Sequence, residues 1–154
     1  MAAPLAEWMA EVIRLPLPDW ICSVPSDRAR ERQRGYNTSE LLALELSSLL
    51  EVPYRQLLRR TPGRRPPQEG ADYELRWLQV DGLYWAEACS EVLRSTVWVV
   101  DDVMTTGATL SVCAKVLREQ GAARVFGLAL ATTPPQMGKD ASPAHTVDFQ
   151  SLWV

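Results

Sequence analysis

The sequence predicts an α/β fold, with a mostly parallel sheet of four or five strands and helices on both faces. Residues 97–100 form an apolar, β-branched run that a helical pattern follows within ten residues. Residues 124–131 form a second, nearly continuous apolar run, as expected for a parallel strand that is buried on both faces. The length of 154 residues suits one domain, so we expect residues 1–154 to fold as a unit.

The first predicted helix lies at the start of the chain. Pro16 and Pro18 end this helix. Its apolar positions follow helical spacing and are Leu5, Trp8, Met9, Val12 and Ile13. We expect this face to cover the sheet, and a partner-binding helix is the alternative.

Arginines alternate with other residues directly after the first predicted strand, which spans residues 20–25. In an extended loop, a period of two directs all the guanidinium groups to one side, where they could clamp a polyphosphate. In a helix they would spread around the axis. The segment holds four arginines and ends in a glycine turn: Arg28, Arg30, Arg32, Arg34 and Gly35.

A second helix follows this turn. Asn37 is a suitable N-cap, and Glu40 stands three residues later in a capping-box arrangement. The apolar positions that we expect to be buried are Leu42, Leu46, Leu49 and Leu50. Residues 52–58 then predict a strand with Pro53 at its start or at a sheet edge, and residues 59–70 predict a basic, mobile loop.

The stretch 97–109 contains the strongest functional signal. Asp101 and Asp102 follow the strand, and a loop of small and hydroxylated residues leads into a helix that Gly121 ends. Loop N–H groups and a helix N-terminus attract phosphate. The loop residues are Thr105, Thr106, Gly107, Ala108 and Thr109.

The two adjacent carboxylates repel each other and each needs a partner. A vicinal sugar diol offers two donors side by side, and a divalent cation could screen both charges. Two other interpretations are the magnesium-binding strand of a P-loop ATPase and a solvated acidic turn. The first requires an upstream glycine-rich loop ending in Gly-Lys-Ser/Thr, whereas Gly138-Lys139 is downstream and precedes Asp140.

Charge and cysteine content predict the charge of the ligand and the cellular compartment. Residues 28–65 contain nine arginines and four glutamates, so this segment has a net charge of +5, whereas the whole chain has a net charge of −3. A basic segment in an acidic protein favours an anionic ligand. Cys22, Cys89 and Cys113 form no Cys-x-x-Cys pair, and His145 is the only histidine. We therefore expect a cytoplasmic protein without a membrane span or a signal peptide.

Residues 97–109 resemble the signature of the type I phosphoribosyltransferases, which bind phosphoribosyl pyrophosphate (PRPP). The resemblance implies that Asp101 and Asp102 hold the ribose hydroxyls. It implies that the loop 105–109 cradles the 5′-phosphate. It also implies that Mg²⁺ binds on the pyrophosphate rather than directly to the protein, and that pyrophosphate is displaced at ribose C1.

Residues 23–43 resemble the ComF branch of these proteins, through Ser-Val-Pro-Ser, Arg-Gly-Tyr-Asn and the leucine-rich helix. This resemblance implies that some of the residues 28–35 face the pyrophosphate. A later Thr-Pro-Gly-Arg-Arg-Pro-Pro-Gln segment resembles the ComF lid loop, and Gln79 and Asp81 depart from the branch pattern. The Cys-x-x-Cys pairs of the ComF zinc ribbon are missing, and no nucleobase site is recognisable.

ComF proteins are associated with DNA uptake, which gives a second function. The chain would then be a non-catalytic accessory protein whose basic stretch 28–65, with Tyr36 and Tyr54, contacts single-stranded DNA. The acceptor of the ribosyl group, the retention of catalysis, the role of residues 132–154 and a homodimer remain open at this point. Residues 147–154 predict a weak terminal strand that could extend the sheet or contact a partner.

Overall fold

The computed structural model describes residues 2–63, 80 and 82–132. The lid segment with Gln79 and Asp81, and the tail with His145 and the predicted terminal strand, lie outside these residues. The helices and strands of the described part follow in chain order: α1 (Ala2–Val12), β1 (Trp20–Ser23), α2 (Arg28–Arg34), α3 (Thr38–Leu50), β2 (Leu58–Arg60), β3 (Tyr84–Ala86), a 3₁₀ turn (Ser90–Val92), β4 (Thr96–Met104), α4 (Ala108–Glu119) and β5 (Arg124–Thr132).

The main sheet confirms the predicted α/β class. Its three described strands are parallel and lie in the order β1, β4, β5. The last residue of β1, Ser23, is paired with Val100, whereas β4 continues to Met104 and is paired there with Thr132 of β5. The aspartate pair therefore lies within the extended end of β4 and not, as predicted, after it.

The predicted strand 52–58 is reduced to a single bridge. Tyr54 lies beside Ile21 in parallel orientation. The Ile21 N–H donates to the Pro53 carbonyl at 3.0 Å, and the Arg55 N–H donates to the Ile21 carbonyl at 2.9 Å. Pro53 has no N–H to donate to a ladder, so the segment follows the β1 edge only briefly.

Strands β2 and β3 form a separate antiparallel pair. Arg60 lies opposite Tyr84 in this pair. Arg59 and Arg60 are thus strand residues, and the prediction that the basic loop begins at residue 59 is wrong for these two positions.

Helices cover both faces of the sheet, as predicted. Successive side chains of β4 point to opposite faces. Val97 and Val99 pack into a buried cluster with residues of α4, and Trp98 and Val100 pack into a second cluster with residues of α1 and α3. The first half of β4 is therefore packed between apolar layers on both sides, directly before the aspartate pair.

The apolar face of α1 is narrower than its spacing predicts. Ala6 and Met9 are buried against α3, whereas the Trp8 side chain is 53% exposed. On α3, Leu42 and Leu46 are buried as predicted, but Leu49 is exposed. Leu5, another predicted apolar position of α1, is also exposed.

Residues 28–34 form a helix, so the predicted extended arginine loop is wrong. Their composition of Arg, Ala, Glu and Gln favours a helix. The Glu31 N–H donates to the Asp27 carbonyl at 2.9 Å, and the Gly35 N–H donates to the Glu31 carbonyl at 2.7 Å. Gly35 then ends the helix with φ +82°. Alternate positions of a helix do not share a side, so this backbone does not direct the positions 28, 30, 32 and 34 to one side, as an extended loop would.

Candidate functional site

Asp101 and Asp102 are held by a compact set of hydrogen bonds. Ser39 Oγ donates to Asp101 Oδ1 at 2.9 Å, and the Asp102 N–H donates to the same oxygen at 2.9 Å. The Asp102 N–H also lies 3.2 Å from Ser39 Oγ, and the Val103 N–H donates to Asp102 Oδ1 at 2.8 Å. Among the described residues both donors to Asp101 act on Oδ1, so Oδ2 can accept a bond from a ligand.

Ser39 is a site residue that the sequence analysis missed. It lies in the first turn of α3, 62 positions away from Asp101, and is 5% exposed. The predicted N-cap brings it there: Asn37 Oδ1 accepts the Ser39 N–H at 3.1 Å, and Asn37 Nδ2 donates to the Val24 carbonyl at 3.1 Å. The only sequence signal for Ser39 was a serine two residues after a capping residue.

Burial raises the pKa of Asp101 to about 6, because a charged carboxylate loses solvation there. The neighbouring Asp102 charge raises this pKa further, while the Ser39 hydroxyl opposes the shift. The carboxylate is therefore mainly ionised at pH 7 and takes up a proton in mildly acidic solution.

A cavity of about 230 Å³ brings part of the predicted site together. Asp101, Asp102, Arg34 and Thr109 all line it. Arg32 lines a neighbouring cavity, and the side chains of Arg28 and Arg30 lie outside the described part of the chain. The rest of the described lining combines hydroxyl, amide and aromatic groups, among them Ser39, Asn37, Tyr36 and Tyr84.

The predicted phosphate loop connects β4 to α4. Thr105–Ala108 are not part of the lining of this cavity, and Thr109 is. The Ala108 N–H lies 3.4 Å from Thr106 Oγ1, and the Ser111 N–H donates to the Gly107 carbonyl at 2.9 Å. Helix α4 therefore begins directly after Gly107, which is its N-cap residue.

Gly107 is required by its backbone conformation and not by crowding. Its φ is +76°, a region that other residues enter only with strain. A Cβ atom at this position would meet only Met104 Sδ, at an ordinary 3.6 Å. Space for a side chain therefore exists at this position, and the positive φ alone accounts for the glycine.

Arg60 is a further residue of the site. It forms an ion pair with Asp27 at 3.1 Å, and it contacts the Tyr84 hydroxyl across the β2–β3 pair. Burial raises the pKa of Tyr84, so the phenol stays protonated and can donate a hydrogen bond. Arg60 and Asp27 line both the 230 Å³ cavity and the neighbouring one.

No protein-family model matches the sequence. Curated relatives do match. Competence protein F of Haemophilus influenzae is 34% identical over 121 residues, which cover 77% of this chain and 53% of that protein. DNA utilization protein YhgH of Salmonella typhi is 33% identical over 111 residues, which cover 72% of this chain and 48% of that protein. The chain thus spans about half the length of the curated relatives it matches.

Solved structures show the same fold. Glutamine PRPP amidotransferase from B. subtilis superposes with a TM-score of 0.59 at 21% identity, over 84% of this chain and 26% of that one. Adenine phosphoribosyltransferase from Thermoanaerobacter pseudethanolicus superposes with a TM-score of 0.54 at 16% identity, over 86% and 80%. No helix in the described part of the chain is long and apolar enough to cross a membrane. The chain is a homologue of competence protein F and of DNA utilization protein YhgH, and it shares its fold with these two phosphoribosyl-transferring enzymes of known structure.

Proposed function

We propose that this protein binds PRPP or another ribose phosphate at the carboxyl end of β4, as a ComF-type phosphoribosyltransferase-like protein. One observation carries the proposal: the adjacent carboxylates of Asp101 and Asp102 share a cavity with Thr109, which lies in the first turn of α4. Ligands of open α/β sheets bind beyond the carboxyl ends of the strands. A sugar diol beside a phosphate matches this combination of acceptors and helix N-terminus.

Each part of the ligand has a proposed set of contacts. Asp101 and Asp102 accept hydrogen bonds from the ribose hydroxyls, and residues 105–109 bind the 5′-phosphate. The sequence resemblance predicts that residues 28–35 contact the pyrophosphate. Arg34 is the member of this segment that lines the cavity with the aspartates. Arg60 is the other cation of that lining, and we add it to the pyrophosphate contacts.

The charge of the cavity favours a requirement for Mg²⁺. Four carboxylates and two guanidinium groups line it, which gives a formal charge of −2. A polyanion such as PRPP is repelled by this lining unless a cation accompanies it. Mg²⁺ prefers oxygen ligands and commonly binds through substrate phosphates, so the oxygen-rich lining fits a magnesium–pyrophosphate group. If the protein is catalytic, the reaction is displacement of pyrophosphate at ribose C1.

Thermal unfolding tests the site directly. PRPP with Mg²⁺ should raise the Tm of the wild-type protein, and PRPP with EDTA should raise it much less. The double variant Asp101→Asn/Asp102→Asn should lose the PRPP effect. The matched control Glu7→Gln/Glu11→Gln removes two exposed carboxylates from α1 and should retain the effect. An unchanged PRPP effect in the aspartate variant would rule out this binding site.

Contact with single-stranded DNA is a second candidate function. It is favoured by the name of the YhgH relatives, DNA utilization protein, and by Tyr36, which is 52% exposed and follows the exposed Arg34 by two residues. Aromatic rings beside cations are the usual platform for unpaired bases. Tyr54 does not fit this role, because its hydroxyl bonds inward to Ser23. For either function we propose the cytoplasm as the compartment, since all three cysteines are free thiols.

A further inference from the structure

Helices α1 and α3 pack side by side on the same face of the sheet. Ala6 and Met9 of α1 share a buried cluster with Leu42 and Leu46 of α3 and with Trp98 of β4. These residues form the inner sides of the two helices. Because both inner sides lie on one face of the sheet, the outer sides of α1 and α3 belong to the same surface of the protein.

Large apolar side chains are exposed on this surface. Leu5 and Trp8 are exposed on α1, and Leu41 and Leu44 are exposed on α3. The members of each pair are three positions apart, so each pair lies along one side of its helix. We call these four residues the outer apolar face. Single exposed apolar residues are ordinary, whereas a group of them on two adjoining helices is typical of an interaction site.

The charged side chains of the two helices are all carboxylates. Neither helix contains a lysine or an arginine. Glu7 and Glu11 are exposed on α1, and Glu45 is half-buried on α3. Glu11 follows Trp8 by three positions and Glu45 follows Leu41 by four, which are the spacings of neighbours on a helix surface. Negative charge therefore lies directly beside the outer apolar face.

The negative charge decides what can cover this surface. A second copy of the chain, docked about a two-fold axis, would place these carboxylates opposite each other, and like charges across an interface cost affinity. Nucleic acid and anionic lipid are repelled for the same reason.

The segments of this chain outside the described residues do not supply the missing positive charge. Residues 64–79 contain three arginines and three carboxylates, and residues 133–154 contain one lysine and two aspartates. An occupant that matches both the apolar and the acidic groups is therefore a cationic, partly apolar segment of another protein. Helices α1 and α3, of 11 and 13 residues, are long enough to hold a helix of about 12–14 residues in the furrow between them.

We propose that the outer apolar face binds a cationic amphipathic helix of a partner protein. The apolar side of that helix packs against Trp8 and Leu44, and its lysine or arginine side chains lie opposite Glu7, Glu11 and Glu45. Helix α1 thus covers the sheet with its inner side and binds a partner with its outer side. The proposal does not depend on the ribose-phosphate site, which lies at the carboxyl end of β4.

Fluorescence anisotropy with a labelled amphipathic peptide of about 14 leucines and lysines tests the proposal. The peptide should bind the wild-type protein, and added salt should weaken the binding. A peptide with the same leucine positions, but with glutamates in place of the lysines, should not bind. Trp8→Ser/Leu44→Ser should weaken binding of the leucine–lysine peptide at least about tenfold, because a few buried apolar anchors dominate such interfaces. Glu7→Gln/Glu11→Gln should weaken it about threefold and reduce its salt dependence.

Matched control variants come from exposed residues outside α1 and α3. Trp85→Ser/Leu93→Ser removes the same two types of side chain, which are 43% and 59% exposed at these positions. Glu87→Gln/Glu119→Gln removes two other exposed carboxylates. Both controls should bind the leucine–lysine peptide as tightly as the wild-type protein does.

Three outcomes would overturn the proposal. The first is that the leucine–lysine peptide does not bind the wild-type protein, or binds no better than the leucine–glutamate peptide. The second is that Trp8→Ser/Leu44→Ser and its control bind the peptide equally well, which would place the peptide elsewhere. The third is self-association of the wild-type protein in sedimentation that Trp8→Ser/Leu44→Ser abolishes, which would identify a second copy as the occupant. The comparison of the two peptides on the wild-type protein does not depend on the folding of any variant.

Discussion

Ser39 Oγ donates its hydrogen bond to Asp101 Oδ1 at 2.9 Å and so joins the first turn of α3 to the carboxyl end of β4. The same oxygen of Ser39 lies 3.2 Å from the Asp102 N–H. That N–H lies beyond the last residue of β4 that is paired with β1. A side chain of α3 thus substitutes for a strand neighbour at the position where the aspartate pair begins.

Ser39→Ala should therefore affect both stability and ligand binding. Loss of a hydrogen bond to a buried carboxylate costs about 1–3 kcal/mol. The pKa of Asp101 should also rise, because the Ser39 hydroxyl now lowers it. As the pH is lowered from 8 to 5, the variant should consequently lose ribose 5-phosphate binding at a higher pH than the wild-type protein does. Calorimetry at several pH values measures this binding. Ser39→Thr, which keeps the hydroxyl, should restore the wild-type pH profile; the same profile in all three proteins would contradict the role of Ser39.

The pH dependence of unfolding should report on Asp101. Its pKa of about 6 in the folded protein exceeds the value of about 4 in an unfolded chain. The folded state therefore binds more protons between these values, and this group makes the free energy of unfolding fall as the pH rises from about 4 to 6. Asp101→Asn should remove this contribution and raise the stability at pH 7. Urea unfolding at several pH values measures it, and a lower stability of Asp101→Asn at pH 7 would show that the carboxylate is not penalised by burial.

Gly107→Ala should lower the free energy of unfolding by about 1–2 kcal/mol, the usual cost of a left-handed residue with a Cβ atom. Gly107→Asn should cost less, because asparagine tolerates this conformation. Phosphate binding should persist in both, since only Met104 Sδ lies near the added atom. Urea unfolding and phosphate titration check the two parts separately. A larger loss in the asparagine variant would point to crowding instead of backbone strain.

Arg60→Gln should destabilise the protein much more than Arg59→Gln. The ion pair of Arg60 with Asp27 is largely shielded, with side chains 12% and 25% exposed. Its loss should cost about 2 kcal/mol, somewhat less than the roughly 3–5 kcal/mol found for fully buried pairs. Arg59 is exposed and donates to the carbonyl of Gln56, so its substitution should change stability by less than about 0.5 kcal/mol. Equal losses in urea unfolding would remove Arg60 from the framework of the site.

The second candidate function predicts salt-sensitive binding of a labelled single-stranded oligonucleotide. Each phosphate contact that is lost should reduce the log–log salt slope by about 0.7. Arg34→Gln should therefore flatten the slope. Tyr36→Ala should weaken binding about fivefold or more and leave the salt slope unchanged. Arg118→Gln, on the exposed side of α4, is the control. Fluorescence anisotropy that shows no binding at low salt would exclude this function for the chain.

The parts of the fold and site that the sequence predicted are those that local patterns encode. The β4–α4 unit was predictable because strand, aspartates, glycine turn and amphipathic helix follow one another between residues 96 and 121. The N-cap at Asn37 was predictable for the same reason. The buried Cys22 and Cys113 also follow from their apolar surroundings.

The parts that were missed depend on tertiary contacts. Nothing next to Ser39 in the chain shows that Asp101 will be its partner. Arg60 and Tyr84 come together only because β2 and β3 pair across 23 intervening residues. The alternating arginines at 28–34 are compatible with an extended loop and with a helix. The residues form a helix, which their helix propensity and the helix-ending positive φ of Gly35 both favour.

The unequal lengths of β1 and β4 give the sheet a step. Beyond Val100, the last residue of β4 that is paired with β1, β4 runs on for the four residues to Met104, about 13 Å at the usual rise per residue. Because strand length sets the depth of the step, changes in the loops can alter which chemical groups are recognised while the depth stays constant. A scaffold with this step can thus change its ligand without rebuilding its sheet.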